Sequence, residues 1–200
     1  MERSDTGARG PELDSEELRA AIAAIEARSS GTEDLPPLAA GAHEAASVAL
    51  RLLRYRPRSE HELRQRLLEK EHSAEDVSEA LDRIRAWGLI NDADFAAEWV
   101  RGRRRRRGKS RGALERELRD KGVAEAHIAE AVAGIDASED RGQAAELVRA
   151  RLARRPRTVG GDKADEGERR RLVGYLSRRG YPTGLALSVV DAELAAHACS

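Results

Sequence analysis

Arg101, Arg103, Arg104, Arg105, Arg106, Arg107, Lys109 and Arg111 place eight basic side chains within eleven residues. Guanidinium groups stay protonated and donate from a planar fork, so they are poor general acids or bases. Their chemistry is recognition of phosphate or carboxylate, often through two parallel hydrogen bonds. The adjacent charges from Arg103 to Arg107 also repel, so a helix carrying them gains from a counter-charge. Further basic groups recur along the chain. Arg56 and Arg58 flank Pro57, and Arg169, Arg170 and Arg171 precede Arg178 and Arg179. The candidate partner-binding or nucleic-acid-binding residues are therefore Arg56, Arg58, the eight basic residues from Arg101 to Arg111, Arg170, Arg171, Arg178 and Arg179. The competing reading is a solvated arginine-rich helix face.

Nothing else in the chain assembles into an active site. Ser59, Ser73 and Ser110 stand where helix caps are expected. His43, His61, His72, His127 and His197 are scattered and form no metal-ligand pair. Walker A and dinucleotide-binding glycine motifs are missing. The expectation is a non-enzyme without cofactor or metal. Trp99 falls on the Phe95 face of one helix, which favours core packing over base stacking.

The positioning elements are helical. Basic and acidic residues number 36 each, so the whole-chain charge is zero. The first 43 residues hold nine acidic and four basic side chains, leaving a more basic body. Alanine, leucine, arginine and glutamate dominate, aromatics are few, and period-two β-branched runs are missing. This composition predicts an all-α fold with several small aliphatic cores. Residues 1–43 read as an acidic, mostly disordered extension and linker. The spacing predicts a short helix over 13–28, with Leu18, Ile22 and Ile25 on one face. The single cysteine, Cys199, allows no internal disulfide. No secretory signal or membrane-length apolar run occurs, which predicts a cytoplasmic protein without a membrane partner.

From Glu44 onward a pattern repeats. Leu63, Leu67, Val77, Leu81 and Ile84 are separated by 4, 10, 4 and 3 positions. Leu114, Leu118, Ile128, Val132 and Ile135 keep the same separations 51 residues later. Ser59 matches Ser110, and Lys70 matches Lys121. Leu172, Leu176, Ala186 and Val190 continue the series at an offset of 58, with Arg179 and Gly180 replacing Lys121 and Gly122. The expected units are three-helix repeats over 44–90, 91–137 and 138–200, the last with an inserted loop over 154–165. Helices are expected over Ala45–Tyr55, with Val48, Leu52 and Leu53 inward, and over 60–70. Three such units in tandem predict an elongated, curved solenoid.

The ordered set of motifs resembles the RecX family of regulatory proteins. Leu52-Leu53-Arg54-Tyr55-Arg56-Pro57-Arg58-Ser59 with Glu62, Leu63 and Leu67 is similar to the family's opening signature. Gly88-Leu89-Ile90-Asn91-Asp92 with Phe95 and Ala96 is similar to its junction into the second repeat. Gly108-Lys109-Ser110-Arg111 with Leu114, Glu117, Leu118, Lys121, Gly122 and Val123 is similar to the continuation. The resemblance covers about residues 44 to 197. It implies three tandem three-helix repeats and no enzymatic activity. It also implies binding to the RecA recombinase and the groove of its DNA filament, with inhibition of assembly, ATPase and strand exchange, and hence modulation of recombination and the SOS response. Direct DNA binding through phosphates is implied as well. The polar surface and elongated form predict a monomer. The acidic extension lies outside the shared core, and the arginine run is denser than the family pattern requires. If about six arginines displace counterions, log affinity for single-stranded DNA falls with log salt at a slope near −4. The alternative function is a stand-alone DNA-binding protein or transcriptional regulator using the same arginines. The alanine- and glutamate-rich outer faces over 74–86 and 125–136 argue against a base-reading helix.

Overall fold

A short local grammar starts four of the helices. Ser59, Ser73 and Ser110 sit in extended backbone. Their hydroxyl oxygens accept the amides of Glu62, Asp76 and Ala113 at 3.1, 3.1 and 3.2 Å. Asp136 accepts the Glu139 amide at 2.8 Å. Each acceptor satisfies an amide that a helix start leaves open, worth about 1 kcal/mol. The computed structural model describes residues 36–154 and 162–198. These residues form helices and no strand. The helices are α1 (Ala40–Tyr55), α2 (Glu60–Leu68), α3 (Ala74–Ala86), α4 (Asp92–Arg107), α5 (Arg111–Arg119), α6 (Glu125–Ala131), α7 (Ala137–Leu152), α8 (Asp162–Ser177) and α9 (Thr183–Ala198).

The chain divides into two compact units, one through Asn91 and one from Asp92. In the first, α1 packs mainly on α3, and α2 closes the other side. Its core includes Leu63, Leu67, Val77, Leu81 and Ile84, all fully buried. The second unit has two clusters. One joins α4, α5 and α6 around Leu114, Leu118, Ile128 and Val132; the other joins α7, α8 and α9 around Leu172, Leu176, Ala186 and Val190. The apolar positions that define the sequence repeat are thus the buried ones. Truncating any of the buried leucines to alanine costs about 2–5 kcal/mol, since it leaves a cavity.

One turn recurs in all three clusters. Val123 donates its amide to Leu118 at 3.1 Å, and Tyr181 donates to Leu176 at 3.3 Å. Between them Gly122 and Gly180 adopt φ of +70° and +89°, a left-handed conformation that glycine enters without a Cβ clash. In the first unit His72 donates to Leu67 at 3.3 Å, but the left-handed residue is Glu71, at φ 66°.

The structure corrects several boundaries. The first helix begins at Ala40 rather than Ala45, and Ala42, Ala45, Ala46 and Ala49 are fully buried. Leu52 and Leu53 are only partly buried, whereas Leu50 joins the core. The helix predicted over 60–70 stops at Leu68, and Lys70 lies in the following turn. Helix α6 stops at Ala131, so Val132 and Ile135 are buried from the turn that follows. The inserted loop predicted over 154–165 is shorter, because α8 is already helical at Asp162. The helix expected over 13–28, most of the acidic extension and Cys199 lie outside the described residues. Among the described residues, no helix is long and apolar enough to cross a membrane.

Candidate functional site

Helix α4 changes role along its length. Phe95, Ala96 and Val100 bury its first half, with the Phe95 and Trp99 ring centroids 5.7 Å apart. Its last turn carries Arg104, Arg105, Arg106 and Arg107, where positive charge meets the negative end of the helix dipole. Glu117 on α5 anchors one side of the run. It accepts from Trp99 Nε1 at 3.0 Å and pairs with Arg103 at 3.3 Å and Lys109 at 3.2 Å. The Arg103 guanidinium lies 4.1 Å from the Trp99 ring centroid, and the Lys121 ammonium lies 4.3 Å from it. Trp99 is therefore a partly buried platform between cations, consistent with the expected packing role.

Arg104 anchors the other side. It reaches the start of α7 and donates to Asp140 Oδ1 at 2.5 Å, to the Glu139 carbonyl at 2.9 Å and to the Lys109 carbonyl at 3.2 Å. Asp140 also accepts the Arg111 amide at 3.1 Å. The Arg104 and Asp140 side chains are only 14% and 11% exposed. Leu147 packs against Gly108 so closely that a Cβ there would lie 2.7 Å from a leucine methyl. Arg111 pairs with Glu115 at 2.8 Å and donates to the Ile135 carbonyl at 3.0 Å. Arg101 pairs with Glu98. Arg105, Arg106 and Arg107 are exposed and have no carboxylate partner among the described residues. The run thus splits into Arg103, Arg104, Lys109 and Arg111, which hold the turn, an exposed Arg101 paired along its own helix, and an outward set of three.

The remaining basic candidates also divide. Arg56 makes a two-pronged pair with Glu62, at 3.1 and 3.2 Å. Arg58 donates to the Leu52 carbonyl at 3.5 Å, and partial burial followed by the neighbouring Arg56 charge lowers its pKa. Arg170 and Arg171 are mostly exposed and pair loosely, at 3.8 Å to Glu166 and 3.7 Å to Glu168. Arg169 pairs at 2.6 Å with Asp191, and the Arg169 hydrogen bond holds the Asp191 carboxyl below its ordinary range. The Arg179 guanidinium lies 3.7 Å from the Tyr175 ring centroid and donates to the Tyr175 carbonyl at 3.3 Å. Arg178 is exposed without a carboxylate partner among the described residues. Burial pushes the nearby Tyr181 phenol up to about 12, so it stays neutral in this charged neighbourhood.

Two family models match the chain: the first three-helix domain of RecX over residues 45–83 and its second three-helix domain over residues 91–132. A protein named Regulatory protein RecX from Mycobacterium avium is 49% identical over 76% of this chain and 86% of its own length. One from Mycobacterium tuberculosis is 44% identical over 82% of this chain and 95% of its own. The chain belongs to the RecX family. A crystal structure of a regulatory protein RecX shares the fold, with a TM-score of 0.60 and 24% identity over 92% of this chain and 82% of that one. RecX from Lactobacillus salivarius gives 0.59 at 16% identity, over 76% and 96%. Membership of RecX makes this a regulatory protein built from three-helix domains.

Within the RecX chain, the second-domain match stops at residue 132, before the residue that clasps the arginine run. Sequence reasoning missed Asp140, Glu117 and Arg151 as determinants of the basic surface. Asp140 lies 36 residues from Arg104, and no local periodicity links the two. Glu117 was legible only as part of the motif that resembles the RecX family. Arg151 lies in α7, outside every recognised basic cluster, yet its guanidinium is 5.0 Å from the Tyr175 centroid.

Proposed function

We propose that this chain binds RecA and the RecA–DNA filament and inhibits filament assembly, ATPase and strand exchange, thereby modulating recombination and the SOS response. It does so as a cytoplasmic monomer without catalysis of its own. Family membership supports a regulatory role. The observation that carries the contact itself is the unpaired trio Arg105, Arg106 and Arg107, presented at the end of a helix whose other cations are occupied. Three adjacent guanidinium groups in water repel one another, and an external polyanion relieves that repulsion while gaining charge-assisted hydrogen bonds. Glu117, Arg104 and Asp140 fix the helix end, so the trio binds with little further ordering.

The test is RecA ATPase on single-stranded DNA, titrated with this protein. Substoichiometric loss of ATPase is expected, because a filament regulator acts on many subunits at once. Replacing Arg105, Arg106 and Arg107 by glutamine should weaken inhibition by at least tenfold with helicity unchanged. Full inhibition by that variant would remove the trio from the mechanism. Inhibition only at amounts that coat the DNA would replace the filament reading with a stand-alone DNA-binding protein.

A further inference from the structure

A second cationic surface lies in the last three helices. Arg151, Arg170, Arg171, Tyr175 and Arg178 line a cleft of about 240 Å³ between the end of α7 and one face of α8. Glu168, Leu172 and Gly174 complete its wall. Arg171 and Tyr175 share a face of α8, and Arg178 continues that face from the turn just past its end, where its amide still donates to the Gly174 carbonyl at 3.1 Å. Arg151 approaches the Tyr175 ring from α7 at 5.0 Å, and Arg179 lies 3.7 Å from the same ring centroid. Arg151 and Arg178 have no carboxylate partner among the described residues. Arg170 and Arg171 have only the two loose pairs, at 3.8 and 3.7 Å. Glu168 is the one carboxylate in the lining, and its side chain is 17% exposed.

We infer that this cleft binds the phosphodiester backbone of single-stranded nucleic acid, with a base against the Tyr175–arginine platform. The inference rests on the reading of the chain as a regulator that meets the nucleic acid of a filament. Size argues against an enclosed small ligand, since pockets for such ligands hold about 300–1,000 Å³. Length argues for a strand. Arg171 and Arg178 are about 10 Å apart along the helix axis, from a rise of about 1.5 Å per residue. That distance exceeds the step between successive phosphates of one strand, so the two arginines reach different phosphates. The aromatic ring argues for nucleic acid over an acidic protein. Bases stack on tyrosine faces and on guanidinium planes, whereas carboxylates gain nothing from the ring.

The experiment uses the full chain and a fluorescent oligothymidylate, with anisotropy measured across a salt series. The double variant Arg151→Gln/Arg178→Gln should bind roughly tenfold more weakly near 0.1 M salt, with a log–log salt slope flatter by about 1.4. The control Arg119→Gln/Arg169→Gln removes the same charge from arginines paired with Glu125 and Asp191. It should bind like the parent. Equal binding by the double variant and the control overturns the cleft. Displacement of the oligonucleotide by deoxyadenosine monophosphate at equal phosphate concentration also overturns it, in favour of a mononucleotide site. Equal loss of poly-glutamate binding in the double variant would assign the surface to acidic protein instead. Parent protein that fails to inhibit RecA ATPase sinks the filament reading, while the oligonucleotide series still scores the cleft. Intact RecA inhibition beside an unaffected double variant sinks only the cleft.

Discussion

At the scale of single residues, the arginines are not equivalent, and burial decides which ones hold the protein together. Arg104 is 14% exposed and faces Asp140 at 2.5 Å, whereas Arg66 and Glu69 pair at 2.8 Å with both side chains 57% exposed. Exposed pairs contribute about 0–1 kcal/mol, because water screens them. Removing one member of a buried pair leaves a desolvated charge and costs about 3–5 kcal/mol. Two backbone carbonyls also accept from Arg104 and soften the loss. Asp140→Asn should therefore lower stability by about 2–3 kcal/mol in urea unfolding, against less than about 1 kcal/mol for Glu69→Gln. Adding Arg104→Leu to Asp140→Asn should cost less than the sum of the single changes. Additive losses would mean that the pair is not coupled. The sequence exposes the charge run itself, because adjacent arginines are visible as text. It hides which of them point inward, because their acceptors lie on α5 and α7 and are set by packing.

At the scale of elements, much more is legible, because capping and turn chemistry are local. The serine caps at Ser59, Ser73 and Ser110 and the buried leucines at repeat spacing follow from the chain order alone. The early start of α1 does not. Ala40, Gly41 and Ala42 carry no large apolar side chain, yet small residues let α1 approach α3 so closely that a Cβ on Gly41 would lie 2.4 Å from Asp76 Oδ2. The repeated turn supplies a sharper test. Gly122 and Gly180 occupy the left-handed position that Glu71 fills in the first unit. A non-glycine residue there is strained by roughly 1–2 kcal/mol, partly offset by the greater unfolded-state entropy of glycine. Glu71→Gly should raise stability by about 0.5–1 kcal/mol, and Gly122→Ala should lower it by about 1 kcal/mol, read as urea midpoints. A destabilised Glu71→Gly protein would show that Glu71 makes a contact outweighing its strain.

At the scale of the whole molecule, formal neutrality conceals two clusters of exposed arginines in the unit from Asp92 onward. Arg105, Arg106 and Arg107 and the cleft arginines Arg151 and Arg178 have no carboxylate partner among the described residues. Their occupied neighbours pair within the same unit and have few counterions to release. If each of these five arginines neutralises one phosphate, the log–log salt slope on single-stranded DNA is about −3.5, at about −0.7 per contact. Removing the trio should flatten it to about −1.4, and removing the cleft pair to about −2.1. The two changes should add, because the patches share no ion-pair partner among the described residues. The same series separates the partners of the two patches. A trio variant that keeps the parental slope on DNA but loses RecA inhibition assigns the trio to an acidic RecA surface. A trio variant that loses both assigns it to phosphate. In the first case the protein grips the filament through two chemistries, protein at the end of α4 and nucleic acid beside Tyr175. Salt then weakens the DNA contact by only the two cleft charges, and inhibition should survive ionic strengths that abolish binding to free oligonucleotide.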